Sequence, residues 1–375
     1  MRSSVYGIAL LLALLAGCGS SSSAGANGNG SGGSAGALAT VGAGGISGSA
    51  GSSDSSGSSA SGGGSSGGSA SGGGSNGGAS QAGSGGDSSG GSSSNPSCQG
   101  LAANCAATAS ADCCASSVVP GATFQRDNLA PPGPMATVSA FRLDIYDVSV
   151  GRFRKFIAAY PGSKPSAGSG KNPKNSAEKG WDASWSALLP VDQAALISAV
   201  QCSQMGATYT PTVLGNETRA INCVDWYEAF AFCVWDGGRL PSDIELNDAA
   251  AAGPEQRHYP WSNPPESETI DASYAVYSPS ATAVAIVGSK SPKGDGKWGH
   301  ADLAGNVWNW VLDSSGQEPL PATCTDCADL SPAAVRIVRG GSFYLTAPWA
   351  LVSAPYANDP TDHNVTTGVR CARAE

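Results

Sequence analysis

Trp298-Gly-His-Ala-Asp-Leu-Ala-Gly-Asn-Val-Trp-Asn-Trp-Val-Leu-Asp313 places three Trp, two Gly and a run of small polar residues in sixteen positions. Neither the 3.6-residue period of an amphipathic helix nor simple strand alternation fits this mixture. Gly299 and Gly305 admit backbone angles that other residues avoid, and Asp302, Asn306 and Asn309 offer side-chain oxygens at close spacing. Val307, Trp308, Trp310 and Val311 then read as a buried strand leaving the turn. Such a loop is either a cation site or a rigid structural corner, and the rest of the chain has to decide between them.

The chain has 375 residues, of which only 13% are charged while 52 are Gly, so a low-complexity part dilutes an ordinary domain. A net charge of −9, with no basic run, argues against nucleic acid as a partner. Eleven Cys point to an oxidising compartment. Arg2 and the short apolar run Ile8–Leu15 form a signal sequence too short to span a bilayer as a helix. Leu15-Ala-Gly-Cys18 resembles the bacterial lipobox, which makes residues 1–17 a lipoprotein signal peptide and Cys18 the lipidated N-terminus. The alternative is an ordinary secretory signal with a chance Cys. The lipobox reading places the chain in the cell envelope, held to a membrane through Cys18, and the Gly at position 19 favours the outer membrane.

Residues 18–97 are almost entirely Gly, Ser, Ala and Asn, a composition that cannot bury a core and behaves as a flexible tether. Its root-mean-square span is on the order of 50 Å. Residues 98–117 follow as a small Cys-rich collar, with Cys98, Cys105, Cys113 and Cys114 able to form two disulfides in any of three pairings. Tetrahedral zinc is the weaker alternative, because neither a Cys-x₂-Cys pair nor a nearby His sets up its spacing.

Residues 118–375 form the globular part. Phe141 to Val148 alternates as a half-buried strand, and Ser149 caps a helix whose Phe153, Phe156 and Ile157 share one face. Residues 181–200 read as a Trp-containing loop and a short helix. Asp225-Trp-Tyr-Glu228 and Ser242-Asp-Ile-Glu245 both have capping-box spacing. The first opens a helix stopped by Gly237-Gly238, and the second an Ala-rich helix that ends at Gly253. Arg336 to Phe343 reads as a strand entering a Gly-Gly turn, and Gly368 to Arg373 as a last strand. Few helices, short strands and long loops indicate an α+β domain.

Taken in order, several landmarks resemble the formylglycine-generating enzyme (sulfatase-modifying factor) family, a variant of the C-type-lectin fold. They are Phe141-Arg-Leu-Asp-Ile-Tyr-Asp-Val-Ser149, Val224-Asp-Trp-Tyr-Glu-Ala-Phe-Ala-Phe-Cys-Val-Trp235, Gly238-Arg-Leu-Pro-Ser242, Tyr259-Pro-Trp261, Gly299 to Trp310, Arg339-Gly-Gly-Ser-Phe343 and Gly368-Val-Arg-Cys-Ala-Arg373. The resemblance spans residues 118–375 and implies a sulfatase-modifying-factor fold.

The resemblance also implies chemistry that can be tested by residue. Formylglycine-generating members oxidise a substrate Cys with copper held by two Cys between the Arg-Gly-Gly-Ser and Gly-Phe-Arg-Cys motifs, and soft thiolates do select Cu(I). Here the interval from Tyr344 to Thr367 has no Cys, and the expected positions fall near Ala350 and Pro355. Copper is therefore not expected. A second branch holds iron with three His, but His258, His300 and His363 lack ligand-like spacing. Without Cys18, 11 − 1 = 10 Cys remain, an even number. The resemblance pairs Cys233 with Cys371, and proximity then pairs Cys202 with Cys223 and Cys324 with Cys327. A redox role for Cys324-x₂-Cys327 is the minority alternative.

The resemblance further implies calcium at the opening turn, through Asp302, the carbonyls of Gly305 and Val307, and Asn309. Oxygens on a tight loop suit a hard cation. Asn309 stands where the family usually has Glu, so affinity should be reduced, and a metal-free corner held by Trp packing is the alternative. The reading that results is an envelope-anchored lipoprotein whose domain lacks the copper Cys pair, carries no identified catalytic residue, and binds an unknown protein or glycan ligand. The alternatives are an oxidoreductase of the formylglycine-generating type with unidentified residues, and a spacer in a surface assembly.

Overall fold

A computed structural model of the protein describes residues 95–101, 112–129, 133–202, 204–316 and 320–375. The signal segment, Cys18, nearly all of the tether and Cys105 lie outside the described residues. No described helix is long and apolar enough to cross a membrane.

Four α-helices are described: α1 (Val150–Ala159), α2 (Gln193–Gln201), α3 (Trp226–Trp235) and α4 (Asp243–Ala251). Each start follows from a side-chain cap. Ser149 accepts from Arg152 N, Asp192 from Ala195 N, and both Asp225-x₂-Glu228 and Ser242-x₂-Glu245 close as capping boxes. Gly237, with φ of 77°, follows the Asp236 C-cap of α3.

The expected stop at Gly253 is made by two successive left-handed residues. α4 ends at Ala251 because Ala252 itself takes the left-handed conformation, at φ 57°. Gly253, the next residue, is left-handed as well at φ 57°, and a Cβ there would also sit 3.0 Å from both the Ala122 Cβ and Asp248 Oδ1.

The first antiparallel sheet has the order β1 (Ser116–Val119), β4 (Phe141–Asp144), β10 (Ala372–Ala374). A second combines β2 (Ala122–Gln125), β3 (Met135–Val138) and β6 (Thr323–Thr325), with β3 and β6 parallel. The third has the order β8 (Tyr356–Asn358), β7 (Arg336–Arg339), β5 (Trp308–Ser314), β9 (Thr367–Gly368). The single last strand expected over 368–373 is therefore two short strands in different sheets. Between them Arg370 turns inward, where four acceptors hold its guanidinium and pull the chain out of extended pairing.

β5 is buried along its whole length, as its Trp-rich sequence requires. Its tie to α3 is reciprocal: Trp226 Nε1 donates to the Val311 carbonyl at 2.8 Å, and Trp310 Nε1 to the Val224 carbonyl at 2.9 Å. Around α1 and α3, Phe153, Phe156 and Phe232 pack with centroids 5.3–5.8 Å apart, and Trp185 meets Trp181 and Trp226 edge-on. Such pairs contribute about 0.5–1.5 kcal/mol each beyond burial.

β1 begins at Ser116 and pairs with β4, so sheet structure straddles position 117. Residues before it are tied to the helices by the wholly buried Arg152. Its Nη1 donates to Asp144 Oδ2 at 2.9 Å and its Nη2 to Asp236 Oδ2 at 2.6 Å, while Nε donates to Ser97 Oγ at 3.0 Å. Disulfides join Cys98 to Cys114, Cys202 to Cys223, Cys233 to Cys371 and Cys324 to Cys327. Cys113 is disulfide-bonded as well.

Candidate functional site

β7 delivers Arg339 and the turn Gly340-Gly341-Ser342, with both Gly at positive φ, 100° and 75°. A Cβ at Gly341 would lie 2.7 Å from the Trp349 carbonyl, so the turn is pressed onto the segment that follows it. Arg339 fixes this packing. Its Nη1 donates to the Val352 carbonyl at 2.9 Å, its Nε and Nη2 bind the Asp243 carboxylate at 2.5 and 2.8 Å, and Nη2 also reaches Asp127 at 2.5 Å. Burial works against its charge, but Asp127 and Asp243 outweigh that and hold the guanidinium protonated. Beside them Asp313 is pushed up to about 7, by burial first and by the Asp243 charge second.

The interior next to this turn has little room. A cavity of about 20 Å³ lies between Asn247, Leu303, Arg339, Ala350 and Arg370. That is enough for one water and no more. Ala350 and Val352 are buried, and Leu351 helps to close the space.

The exposed chemistry lies outside this filled interior. Tyr344 is 70% exposed, Trp349 40% and Tyr356 39%. Trp349 meets Tyr356 edge-on at 5.6 Å, and Tyr356 stacks on the buried Trp308 of β5 at 6.0 Å. An aromatic step thus rises from the end of the core onto the surface.

The residue types between Tyr344 and Thr367 do not fit copper. They include no Cys, and every described Cys is disulfide-bonded. Among the described residues no thiol remains to bind Cu(I), so this interval supplies none of the donors that copper chemistry requires.

At the opening turn Asp302 is buried, its Oδ2 accepts from Gly288 N at 2.6 Å, and its carboxyl is pushed up to about 7 by burial and then by Asp147. The Val307 carbonyl accepts from Asn309 Nδ2 at 3.2 Å, and the same amide donates to Asp147 Oδ1 at 3.0 Å. Asn309 Oδ1 is buried without a hydrogen-bond partner. Asp302, Gly305, Val307 and Asn309 are the residues that would hold a hard cation here; the orphaned Asn309 oxygen is the one observation that favours it, while Asn309 Nδ2 already occupies the Val307 carbonyl and the buried Arg370 lies beside Asp302.

The three His do not assemble. His258 Nδ1 lies 3.1 Å from Glu268 Oε1, while His300 is wholly buried and pushed down to about 3, by burial first and Arg370 second. His363 meets Glu228 and Asp225 instead. Its pKa is pushed up to about 9, because the two carboxylates outweigh its burial. The spacing of Asp225 and Glu228 predicts a capping box, which they form, but gives no sign of the His that joins them. No local pattern signals it, because His363 comes from a distant loop.

An α+β domain with a Trp-rich central strand and an Arg-Gly-Gly-Ser turn defines the class. The chain belongs to the family described as the sulfatase-modifying factor enzyme 1-like domain, whose model matches residues 102–375. It is 27% identical over 298 residues to a formylglycine-generating enzyme of Thermomonospora curvata, covering 68% of this chain and 91% of that protein. It is also 30% identical over 160 residues to an inactive C-alpha-formylglycine-generating enzyme 2 of Bos taurus, covering 40% of this chain and 48% of that one. Among solved structures it is similar to PvdO from Pseudomonas aeruginosa, at 20% identity and a TM-score of 0.49, covering 70% of this chain and 94% of the other.

Proposed function

We propose that this protein is an envelope lipoprotein whose sulfatase-modifying-factor domain binds a protein or glycan ligand rather than oxidising a substrate Cys. The observation that carries this reading is the replacement of a thiol pair by an exposed aromatic step, over a filled interior, in the interval where the family's oxidases keep copper. Tyr and Trp give large, rigid, amphipathic contact area at low entropic cost, which suits recognition of sugar rings or peptide side chains. Calcium at Asp302 and Asn309 belongs to this reading as a stabilising ion. Cys18 supplies the membrane anchor, with the tether holding the domain clear of the outer membrane.

Glycan and peptide arrays probed with the purified domain test the proposal. Binding should depend on Trp349 and Tyr344, with Trp349→Ala reducing it tenfold or more while the circular dichroism is retained. Similarity to formylglycine-generating enzymes along most of the domain favours one competing reading, an oxidase using other residues. Copper-dependent turnover of a Cys-x-Pro-x-Arg peptide would establish that reading and overturn ours. Anchoring is tested separately by fractionation, since Cys18→Ser should release the protein from membranes.

A further inference from the structure

Asp225 is the N-cap of α3 and Glu228 its third residue, both buried. His363 reaches them from the loop between β8 and β9. A ligand atom from each of the three lies within 4.8 Å of the other two.

Helix capping uses only part of this group. Asp225 Oδ1 accepts from Glu228 N at 2.7 Å, and Glu228 Oε2 accepts from Asp225 N at 3.2 Å. Glu228 Oε1 is left over: it is buried, on a side chain with no exposure, and has no hydrogen-bond partner. His363 Nε2 stands 3.1 Å from Glu228 Oε2, a charge contact that raises the imidazole's pKa but whose direction falls short of a well-aligned hydrogen bond. Three donor groups of these types, this close together and with one buried carboxylate oxygen unpartnered, can surround one ion. Metal–ligand bonds of about 2.0–2.2 Å put neighbouring donors roughly 3–3.5 Å apart, each directed at the metal.

We propose that Asp225, Glu228 and His363 form a binding site for a divalent transition metal of the zinc class. One imidazole and two carboxylates suit a borderline cation, whereas Cu(I) prefers thiolates and Ca²⁺ takes oxygen alone. The capping hydrogen bonds orient the carboxylates from behind, as the outer partners of metal ligands do. The positive end of α3 opposes a cation, and the two carboxylates offset it. His363 is 26% exposed, so the site opens to solvent, and the exposed Asp359 and Asp362 add negative charge to the same loop. Three protein ligands leave a coordination position free for water or a ligand group.

Zn²⁺ titrated calorimetrically into the purified, fully oxidised chain tests the site. One equivalent should bind, with Glu228→Gln and His363→Ala each weakening affinity tenfold or more. Gln at this position can still complete a capping box, so Glu228→Gln separates ligation from folding. Co²⁺ in place of Zn²⁺ should give visible absorption bands that disappear in His363→Ala. His258→Ala, remote in its pairing with Glu268, should leave binding unchanged. Absence of binding at millimolar Zn²⁺, unchanged affinity in both ligand variants, or loss of binding in His258→Ala would each overturn the proposal.

Discussion

Arg370 Nη2 donates to Asp147 Oδ1 at 3.0 Å, and neither side chain is exposed to solvent. The same guanidinium donates to the carbonyls of Asp144, Ile145 and Ala301, so one cation fastens the segment after β4 to the stretch that leads into β5. Asp147 also receives Asn306 Nδ2 and Asn309 Nδ2, which joins this hub to the opening turn. Removing one partner of a buried pair strands the other charge. Arg370→Met should therefore destabilise the domain by about 3–5 kcal/mol, measured by denaturant unfolding.

Gly305 has φ of 85°, and a Cβ there would lie 2.6 Å from the Val276 carbonyl. Strain and collision act together at this position. Gly305→Ala should cost on the order of 1–3 kcal/mol, visible as a lowered midpoint in urea. Gly299 also has positive φ, at 79°, but nothing lies within 4 Å of its Cβ position, so Gly299→Ala should cost less.

Asp248 is wholly buried on α4, and neither of its carboxylate oxygens has a hydrogen-bond partner. Burial, and then the Glu245 charge, push its pKa up to about 7 from 3.8. Because the folded pKa is the higher one, the fold favours the protonated acid, and stability falls as pH rises from about 4 through 7. Asp248→Asn removes the charge at nearly constant shape. The variant should be more stable than the parent at pH 8 by roughly 1–3 kcal/mol, and the gain should vanish near pH 4. Paired unfolding curves at the two pH values check this.

Calcium at the opening turn should raise the thermal midpoint, and a chelator should lower it, because an ion that binds only the folded state stabilises it by mass action. Asp302→Ala should abolish the response. A midpoint that stays fixed at millimolar Ca²⁺ would show the turn to be a metal-free corner.

Much of the local structure is legible in the sequence because its causes are local. Ser149, Asp225 and Ser242 announce the starts of α1, α3 and α4 through hydrogen bonds that span only three residues. Gly253 serves two purposes: its φ of 57° belongs to the helix stop that a Gly after a helix signals, while the close approach of Ala122 depends on a distant segment that the sequence does not reveal. The division of the last strand is hidden for a similar reason, since nothing beside Arg370 in the sequence indicates that its acceptors lie around residues 144–147 and at Ala301.

By itself the sequence determined the family, the capped starts of α1, α3 and α4, and the absence of a Cys pair between Tyr344 and Thr367. These depend on residue identity and short-range spacing, which a linear chain records directly. Tertiary structure alone decided that the interior beside Arg339 is filled, that Tyr356 stacks on Trp308 at the surface, and that His363 completes a cluster with Asp225 and Glu228. Each of those is a meeting of side chains from distant segments. Its free energy comes from burial and charge in a shared environment, which no local pattern encodes. The Trp-rich turn shows both sides: its residues identify the fold, while the buried Asp147 and Arg370 bonded to it come from distant segments.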